Sequence, residues 1–301
     1  MKFGHVDNLD LVDFSLPILN QKTKTILSKV NTTNNNINFF FGAPGWSDVK
    51  FKGLIYPSKT SSKNFLIEYS KQFNSIEVNA TRYGIPKEHI LKRWHDSVND
   101  DFKFSMKVPQ LITHRKNIND DQARLKLEEF LSAIFLMGTK SGISFAVMAN
   151  YFSASQINEL KTFIDFWPMD MPLAIEFRHT SWFEKESIKL WQEMFHKRNI
   201  IPVITDTPGR RDVVHFNLTN NHLFVRYVGD FSHQSDLERI KSWIEKVREL
   251  VQLGVNNIWF YVHQPGENRE RILLFFNHLI PKINSALQIN IPLLNDYSNQ
   301  H

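Results

Sequence analysis

Residues 173–205 read LAIEFRHTSWFEKESIKLWQEMFHKRNIIPVIT, and the reading of this stretch decides the fold. Leu173–Phe177 is a short apolar run bounded by polar residues, which predicts a buried strand. Ser181 and Glu184 have the spacing of a capping box, in which each side chain satisfies the other residue's backbone N–H. They open an amphipathic helix over Lys185–Arg198, and a second apolar run, Ile201–Thr205, predicts another strand. Strand, helix and strand in so short a span is the unit from which parallel sheets are built.

The same alternation extends in both directions. Further strands are predicted over Asn38–Ala43, Ser75–Asn79, Lys103–Val108, Gly142–Met148, His222–Tyr227 and Asn257–His263, all rich in Phe, Ile or Val as doubly buried strands are. Helical patterns cover Lys63–Phe73, Lys87–Ser97, Ala123–Met137, Ser155–Phe163, Asp236–Leu253 and Arg269–Ile280, with Pro281 expected to end the last. In the Asp236 helix, Leu237, Ile240, Ile244, Val247 and Leu250 form one apolar stripe. The connection from Asp206 to Asn221 shows no such pattern, so the unit between strands six and seven is expected to be degenerate. Eight strands and seven helices predict an α/β protein of the TIM-type (β/α)₈ barrel class. No glycine-rich phosphate loop follows the first strand, which argues against an open dinucleotide-binding sheet.

Upstream, Asn31 to Asn38 is an Asn/Thr-rich linker, and Asp10 to Val30 carries scattered apolar residues around Pro17. The expected organisation is an N-terminal arm and linker over 1–37 and one domain over 38–301. The 42% hydrophobic and 22% charged content is that of an ordinary globular chain. With no cysteine, disulfides and thiolate metal sites are excluded. No apolar run approaches the roughly 18 residues that span a bilayer, and the start lacks the pattern of a signal peptide. The expectation is a cytoplasmic protein with no membrane partner. Net charge is +5, from 36 basic and 31 acidic residues spread along the chain, which suits an anionic small molecule at least as well as nucleic acid.

In barrels of this class the reacting groups sit where the strands end. Strand one runs into Pro44, Gly45 and Trp46; strand two ends in Glu77 and Asn79, with Tyr83 beyond. Strand three ends at Lys107, followed by Thr113 and His114. Strand five supplies Glu176, Arg178 and His179, strand six Asp206, strand seven Arg226, and strand eight His263 with Gln264. Side chains two apart on a strand share a face, and charges inside apolar strands need a common polar cavity. Each of these residues also has a plainer use: closing an ion pair, capping a turn, or, for Trp46 and Tyr83, packing.

Several of these segments are similar to one family. Phe41 to Trp46, Phe73 to Asn79, Ile112-Thr113-His114 and Ile175 to Phe183 resemble the DUF72 family, also called YecE-like proteins, from about Asn38 to Phe276. The resemblance implies a TIM barrel and no particular activity. It carries across Glu77, Asn79, Lys107, Thr113, His114, Glu176, Arg178, His179, Asp206 and Arg226 as pocket residues. The chain departs from the family pattern in Val147-Met148-Ala149-Asn150, in Val228-Gly229, and in His263-Gln264 where an Asn-Asn pair is usual.

The leading expectation is an enzyme. Glu77 or Glu176 would act as general base, with His179, Asp206, His114 and His263 as further acid–base candidates. Trp46, Asn79, Tyr83, Lys107, Thr113, Arg178 and Arg226 would bind a small polar or anionic substrate. No cofactor is expected. A divalent metal on Glu77, Glu176, Asp206 and His263 is the lesser alternative, because three basic side chains would crowd it. The competing class is a non-enzymatic protein that binds single-stranded nucleic acid through Arg82-Tyr83, His114-Arg115-Lys116 and Gly209-Arg210-Arg211.

Overall fold

A computed structural model describes residues 4, 6–29, 36–229, 233–264 and 270–298; most of the Asn/Thr-rich linker lies outside the described residues. All eight expected strands are present: β1 (Asn38–Gly42), β2 (Ser75–Val78), β3 (Lys103–Met106), β4 (Ser144–Val147), β5 (Leu173–Glu176), β6 (Ile201–Asp206), β7 (His222–Val228) and β8 (Asn257–His263). The helices are α1 (Gln21–Leu27), α2 (Phe65–Gln72), α3 (Glu88–Asp96), α4 (Gln110–Thr113), α5 (Asp121–Leu136), α6 (Ile157–Phe166), α7 (Lys185–Lys197), α8 (His233–Gln252) and α9 (Glu270–Leu287). None is long and apolar enough to cross a membrane among the described residues.

The strands make an α/β fold with a mostly parallel sheet. Six pair in the order β1-β8-β7-β6-β5-β4, and β2 pairs with β3, every pair parallel. Isolated parallel bridges join the two groups, Pro44 with Glu77 on one side, and Phe104 with Ser141 and Lys107 with Phe145 on the other. The β1–β2 seam has a specific chemistry. Asn74 accepts from Phe41 N–H at 2.8 Å and donates to the Phe39 carbonyl at 2.8 Å, so a side-chain amide stands in for a neighbouring strand. One turn of α2 away from its buried Phe65 and Leu66, the Tyr69 hydroxyl accepts from Ala43 N–H at 2.7 Å and reaches the Ala43 and Ser75 carbonyls. A Cβ on Gly42 would lie 2.1 Å from the Ser75 carbonyl oxygen, so this close approach requires glycine.

Strand side chains alternate between two apolar layers. One, between strands and helices, includes Phe41, Ile76, Phe104, Ile175, Ile204, Val225 and Phe260. The other, on the opposite strand faces, is Ile143, Phe145, Val147, Ala174, Ile201, Val203, Phe224, Trp259 and Tyr261, with Phe40 against it. Burial on both faces explains why the strands read as continuous apolar runs.

Two expectations are corrected. Helix α9 continues through Pro281 to Leu287. Ile283 and Leu287 are buried beyond the proline, and this continued stripe offsets the lost hydrogen bond, which costs about 3 kcal/mol. The capping box at Ser181 is not formed. Ser181 belongs instead to a short 3₁₀ turn, Thr180–Phe183, its hydroxyl accepts from Ala154 N–H at 2.9 Å, and α7 starts after Glu184 without a side-chain cap. The arm contains a helix, α1, whose Thr23, Ile26 and Leu27 are buried. As expected, the β6–β7 connection holds only the 3₁₀ turn Arg211–Val213 among its described elements. Helix α1 lies beside it: Thr23 donates to the Phe216 carbonyl at 2.9 Å, and Gln192 of α7 donates to both Thr23 and the Leu218 carbonyl at 3.0 Å. The arm thus packs alongside α7 where the chain between β6 and β7 supplies no helix.

Candidate functional site

On the strand faces that carry the second apolar layer, the pattern changes towards the C-terminal ends. Two residues beyond Phe224 comes Arg226, beyond Ala174 Glu176, beyond Phe145 and Val147 the β4 end, and beyond Tyr261 His263. The period of two therefore stacks a charged layer directly on an apolar one. Arg226, fully buried, is its centre. It donates to Glu77 from Nε to Oε2 at 3.0 Å and from Nη2 to Oε1 at 2.8 Å, and from Nη1 to Glu176 Oε2 at 2.5 Å. Glu176 Oε1 lies 2.5 Å from Arg178 Nη2. Asn79 donates to Glu77 Oε1 at 2.9 Å, and His263 Nε2 lies 2.9 Å from Glu77 Oε2. The Phe145 ring lies below both Arg226 and Lys107, at 5.6 and 5.8 Å from the charged groups. One layer deeper, the Tyr261 hydroxyl joins Ser75 at 2.6 Å and Ser105 at 2.8 Å.

The electrostatics follow from these pairs. Burial by itself would raise the Glu77 carboxyl, but Arg226 and His263 outweigh it and hold the group well below the usual carboxylate range. Glu176 is depressed too, with burial opposed by Arg178, Arg226 and Lys107. Both are carboxylates throughout the physiological range, and their oxygens are engaged by guanidinium groups. Lys107 differs. Among the described residues its ammonium has only a long hydrogen bond of 3.5 Å, to Asn79 Oδ1, and no carboxylate lies in ion-pair contact with it. Burial, reinforced by Arg226, lowers its ammonium to about 8.

Beside this layer opens a cavity of about 410 Å³, lined by Arg82, Lys107, His114, Val147, Met148, Ala149, Asn150, Tyr151 and Arg178. Its charged lining is entirely basic. His114 is lowered by burial and by Arg82, Lys107 and Arg178, so it is a neutral imidazole at pH 7; its Nδ1 faces the buried Thr113 hydroxyl at 2.9 Å. Tyr151 donates to the His114 carbonyl at 2.5 Å, and Arg82 is held by Gln110 at 3.1 Å. A larger groove, about 940 Å³, runs between α8 and α9 on the outside and contains no strand-end residue.

Of the residues expected from sequence, Glu77, Asn79, Lys107, Glu176, Arg178, Arg226 and His263 converge, and Thr113 and His114 border the same cavity. Others do not. Asp206 points to the opposite face of β6, where it meets Arg239 at 2.9 Å, Arg211 at 2.5 Å and Trp243 Nε1 at 2.6 Å. The four residues considered for a divalent metal therefore have no common point, and no other His/Asp/Glu group among the described residues is arranged for one. His179 caps a turn, its Nδ1 accepting from Ser181 N–H at 3.2 Å. Trp46 packs edge-on against Trp94 at 4.9 Å between ring centres, and Gly45 before it has φ +78°, a left-handed turn suited to glycine. Tyr83 is exposed, with Arg82 5.4 Å from its ring centre. Arg115 pairs with Asp120, Arg210 with Asp212 and Arg211 with Asp206, which leaves fewer free cations for a phosphate backbone. Asn150 and Tyr151 were missed as site residues, although their place just beyond strand four could have marked them.

Comparisons with known proteins agree with the resemblance in the sequence. The chain is 26% identical over 247 residues to UPF0759 protein YecE of Escherichia coli K12, covering 75% of this chain and 86% of that one. It is 28% identical over 149 residues to UPF0759 protein YunF of Bacillus subtilis 168, covering 48% and 52%. Among solved structures, a DUF72 family protein from Enterococcus faecalis V583 superposes with a TM-score of 0.64 at 16% identity, covering 85% of this chain and all of that one. Another, from Thermotoga maritima MSB8, gives 0.58 at 21% identity over 75% and 92%. The model of the family described as "Protein of unknown function DUF72" matches residues 40–279, and this chain belongs to that family.

Proposed function

We propose that the eight strands form one closed (β/α)₈ barrel and that the chain is an enzyme acting by proton transfer on a small anionic substrate bound at the strand C-terminal ends. Closure is supported by the parallel bridges on both sides of the β2–β3 pair and by the Asn74 and Tyr69 bonds across the β1–β2 seam. The observation that carries the functional reading is the cavity lined by the cations Arg82, Lys107 and Arg178 and the imidazole of His114, with no carboxylate among its lining residues. Cations brought together in a half-enclosed, low-dielectric space repel one another unless an anion joins them.

The roles are distributed differently from the simplest expectation. Glu77 and Glu176 are held as anions by arginines, so they fix Arg226 and Arg178 rather than take protons. The neutral imidazole of His114 and the readily deprotonated amine of Lys107 are the proton carriers that border the cavity. Arg82 and Arg178 hold the substrate's charge.

Thermal unfolding against phosphorylated sugars, carboxylic acids, nucleotides and short oligonucleotides tests this. A small anion at a hundred times its Kd adds about 2.7 kcal/mol, which is about 5 °C for a chain of this size. At the same concentration the shift is expected to be about halved in Arg82→Gln, whose affinity falls about tenfold. If only oligonucleotides act, and moderate salt abolishes their effect, the reading is wrong.

A further inference from the structure

Four cations stand at the strand ends, and one of them is treated differently. Arg226 and Arg178 take the two buried carboxylates, and Arg82 sits half-exposed against Gln110. Lys107 is 4% exposed, and among the described residues its ammonium has only the long bond to Asn79. Arginine cannot shed its proton, whereas lysine can. The carboxylates are thus paired with the groups that must stay charged, and the one group able to become neutral is left without a counter-ion. A lysine amine desolvated beside other cations is an activated nucleophile. The wall next to it, Val147, Met148 and Ala149, is apolar, and the Phe145 ring lies beneath.

We propose that Lys107 forms an imine with the carbonyl group of a small oxo-carboxylate or phosphorylated ketone whose anionic end is held by Arg82 and Arg178. This rests on the anion-site reading above and names the substrate class of that site. The neutral amine adds to the carbonyl carbon, forming a C–N bond while its proton passes to the carbonyl oxygen. A second N–H proton then goes to the same oxygen, the C–O bond breaks, water leaves, and a C=N bond remains. No oxidant or reductant is needed. His114, bordering the same cavity, can relay both protons. The groups facing the amine are Asn79 and Glu77 from the β2 end, Glu176 and Arg178 from the β5 end, and Arg226 from β7. Burial and Arg226 favour the neutral amine, and the two carboxylates oppose them less strongly.

The test is reductive trapping of the whole protein with borohydride, in the presence of pyruvate in one arm and dihydroxyacetone phosphate in the other. Peptide mapping then locates the adduct, and thermal unfolding with the same compounds runs in parallel. The expected result is one reduced adduct, at Lys107, in at least one arm. Its rate should rise as pH passes through about 8, it should be absent from Lys107→Arg, and it should be slowed about tenfold in Arg82→Gln by loss of a contact worth about 1.4 kcal/mol. The arm that reacts tells a carboxylate from a phosphate. If the anions raise the unfolding temperature but borohydride traps nothing, or marks only exposed lysines, imine formation is overturned while the anion site stands. If neither anion stabilises and no adduct forms, both fail.

Discussion

Two clusters of buried charge lie on opposite faces of the strands, and their bookkeeping differs. On the helix side, Asp206 accepts from Arg239, Arg211 and Trp243, and Asp236 lies 3.7 Å from Arg239 and accepts from Gln264. Two carboxylates face two guanidinium groups, and the Phe14 ring of the arm covers both cations, at 5.4 and 5.0 Å. On the other side, two carboxylates face four cations, counting Arg82 and Lys107 at the cavity. The first cluster has as many carboxylates as guanidinium groups. On the proposed reading, the second becomes complete only when an anion arrives. On that reading, the contrast separates charge that holds a fold from charge that awaits a ligand.

The hardest blow to that contrast is Arg226→Met. It leaves Glu77 and Glu176 buried without their shared partner, a loss of roughly 3–5 kcal/mol. The unfolding temperature should fall by about 7 °C. Asp206→Asn strikes the other cluster. Removing a charged acceptor from buried donors should cost about 2–3 kcal/mol, while the temperature rise produced by a bound anion should persist unchanged. If Asp206→Asn abolishes the anion response, the two clusters are not independent and the comparison breaks.

Lys107→Met should act in the opposite direction. The folded chain holds this ammonium at about 8, against about 10.4 for a lysine in an unfolded chain. Below pH 8 both states are protonated, and the folded state bears the whole penalty of burying the charge. Between pH 8 and 10.4 the unfolded chain holds the extra proton, so rising pH relieves the penalty; above 10.4 it is gone. The variant should therefore be more stable than wild type at pH 7, by about 1–3 kcal/mol, with the gain shrinking as pH climbs towards 10.4. Denaturant unfolding at pH 7 and pH 10 reads both values. A saturating anion should raise the Lys107 pKa and flatten the wild-type dependence. A site residue whose removal stabilises is a mark of function held at the expense of stability; a destabilised Lys107→Met would place Lys107 with the structural charges.

The sequence made one of these clusters visible and hid the other, for a physical reason. Glu77 and Asn79 lie two apart, as do Glu176 and Arg178, and both pairs continue an apolar face whose parity the strand pattern reveals. In β6 all six residues are buried, so the pattern Ile-Pro-Val-Ile-Thr-Asp has no polar face against which to orient Asp206. Its partners Arg239 and Trp243 lie a whole strand and part of a helix away, on a segment that reads as an ordinary amphipathic helix. The strands themselves were legible because doubly buried strands are apolar throughout, and the missing β6–β7 helix because its connection lacks any period. That α1 would pack beside that connection had no sequence signal, since Thr23 and Gln192 are unremarkable residues until they meet.

The arm supplies the finest test. Phe14 is half-buried, and its ring faces Arg211 and Arg239 from outside the family-matched region, which begins at residue 40. Cation–π contacts at such partly exposed sites contribute about 0.5–1 kcal/mol each. Phe14→Leu keeps most of the apolar volume and removes the ring's negative face, so it should lower stability by about 1 kcal/mol. It should leave trapping at Lys107 and the anion response untouched, because the Asp206 cluster already has as many cations as carboxylates without it. Pairing Phe14→Leu with Asp206→Asn in a double-mutant cycle sharpens the point. If the ring acts through the cations that Asp206 anchors, the two losses should be less than additive; full additivity would mean that Phe14 merely packs, and that the arm closes the charged cluster by shape rather than by charge.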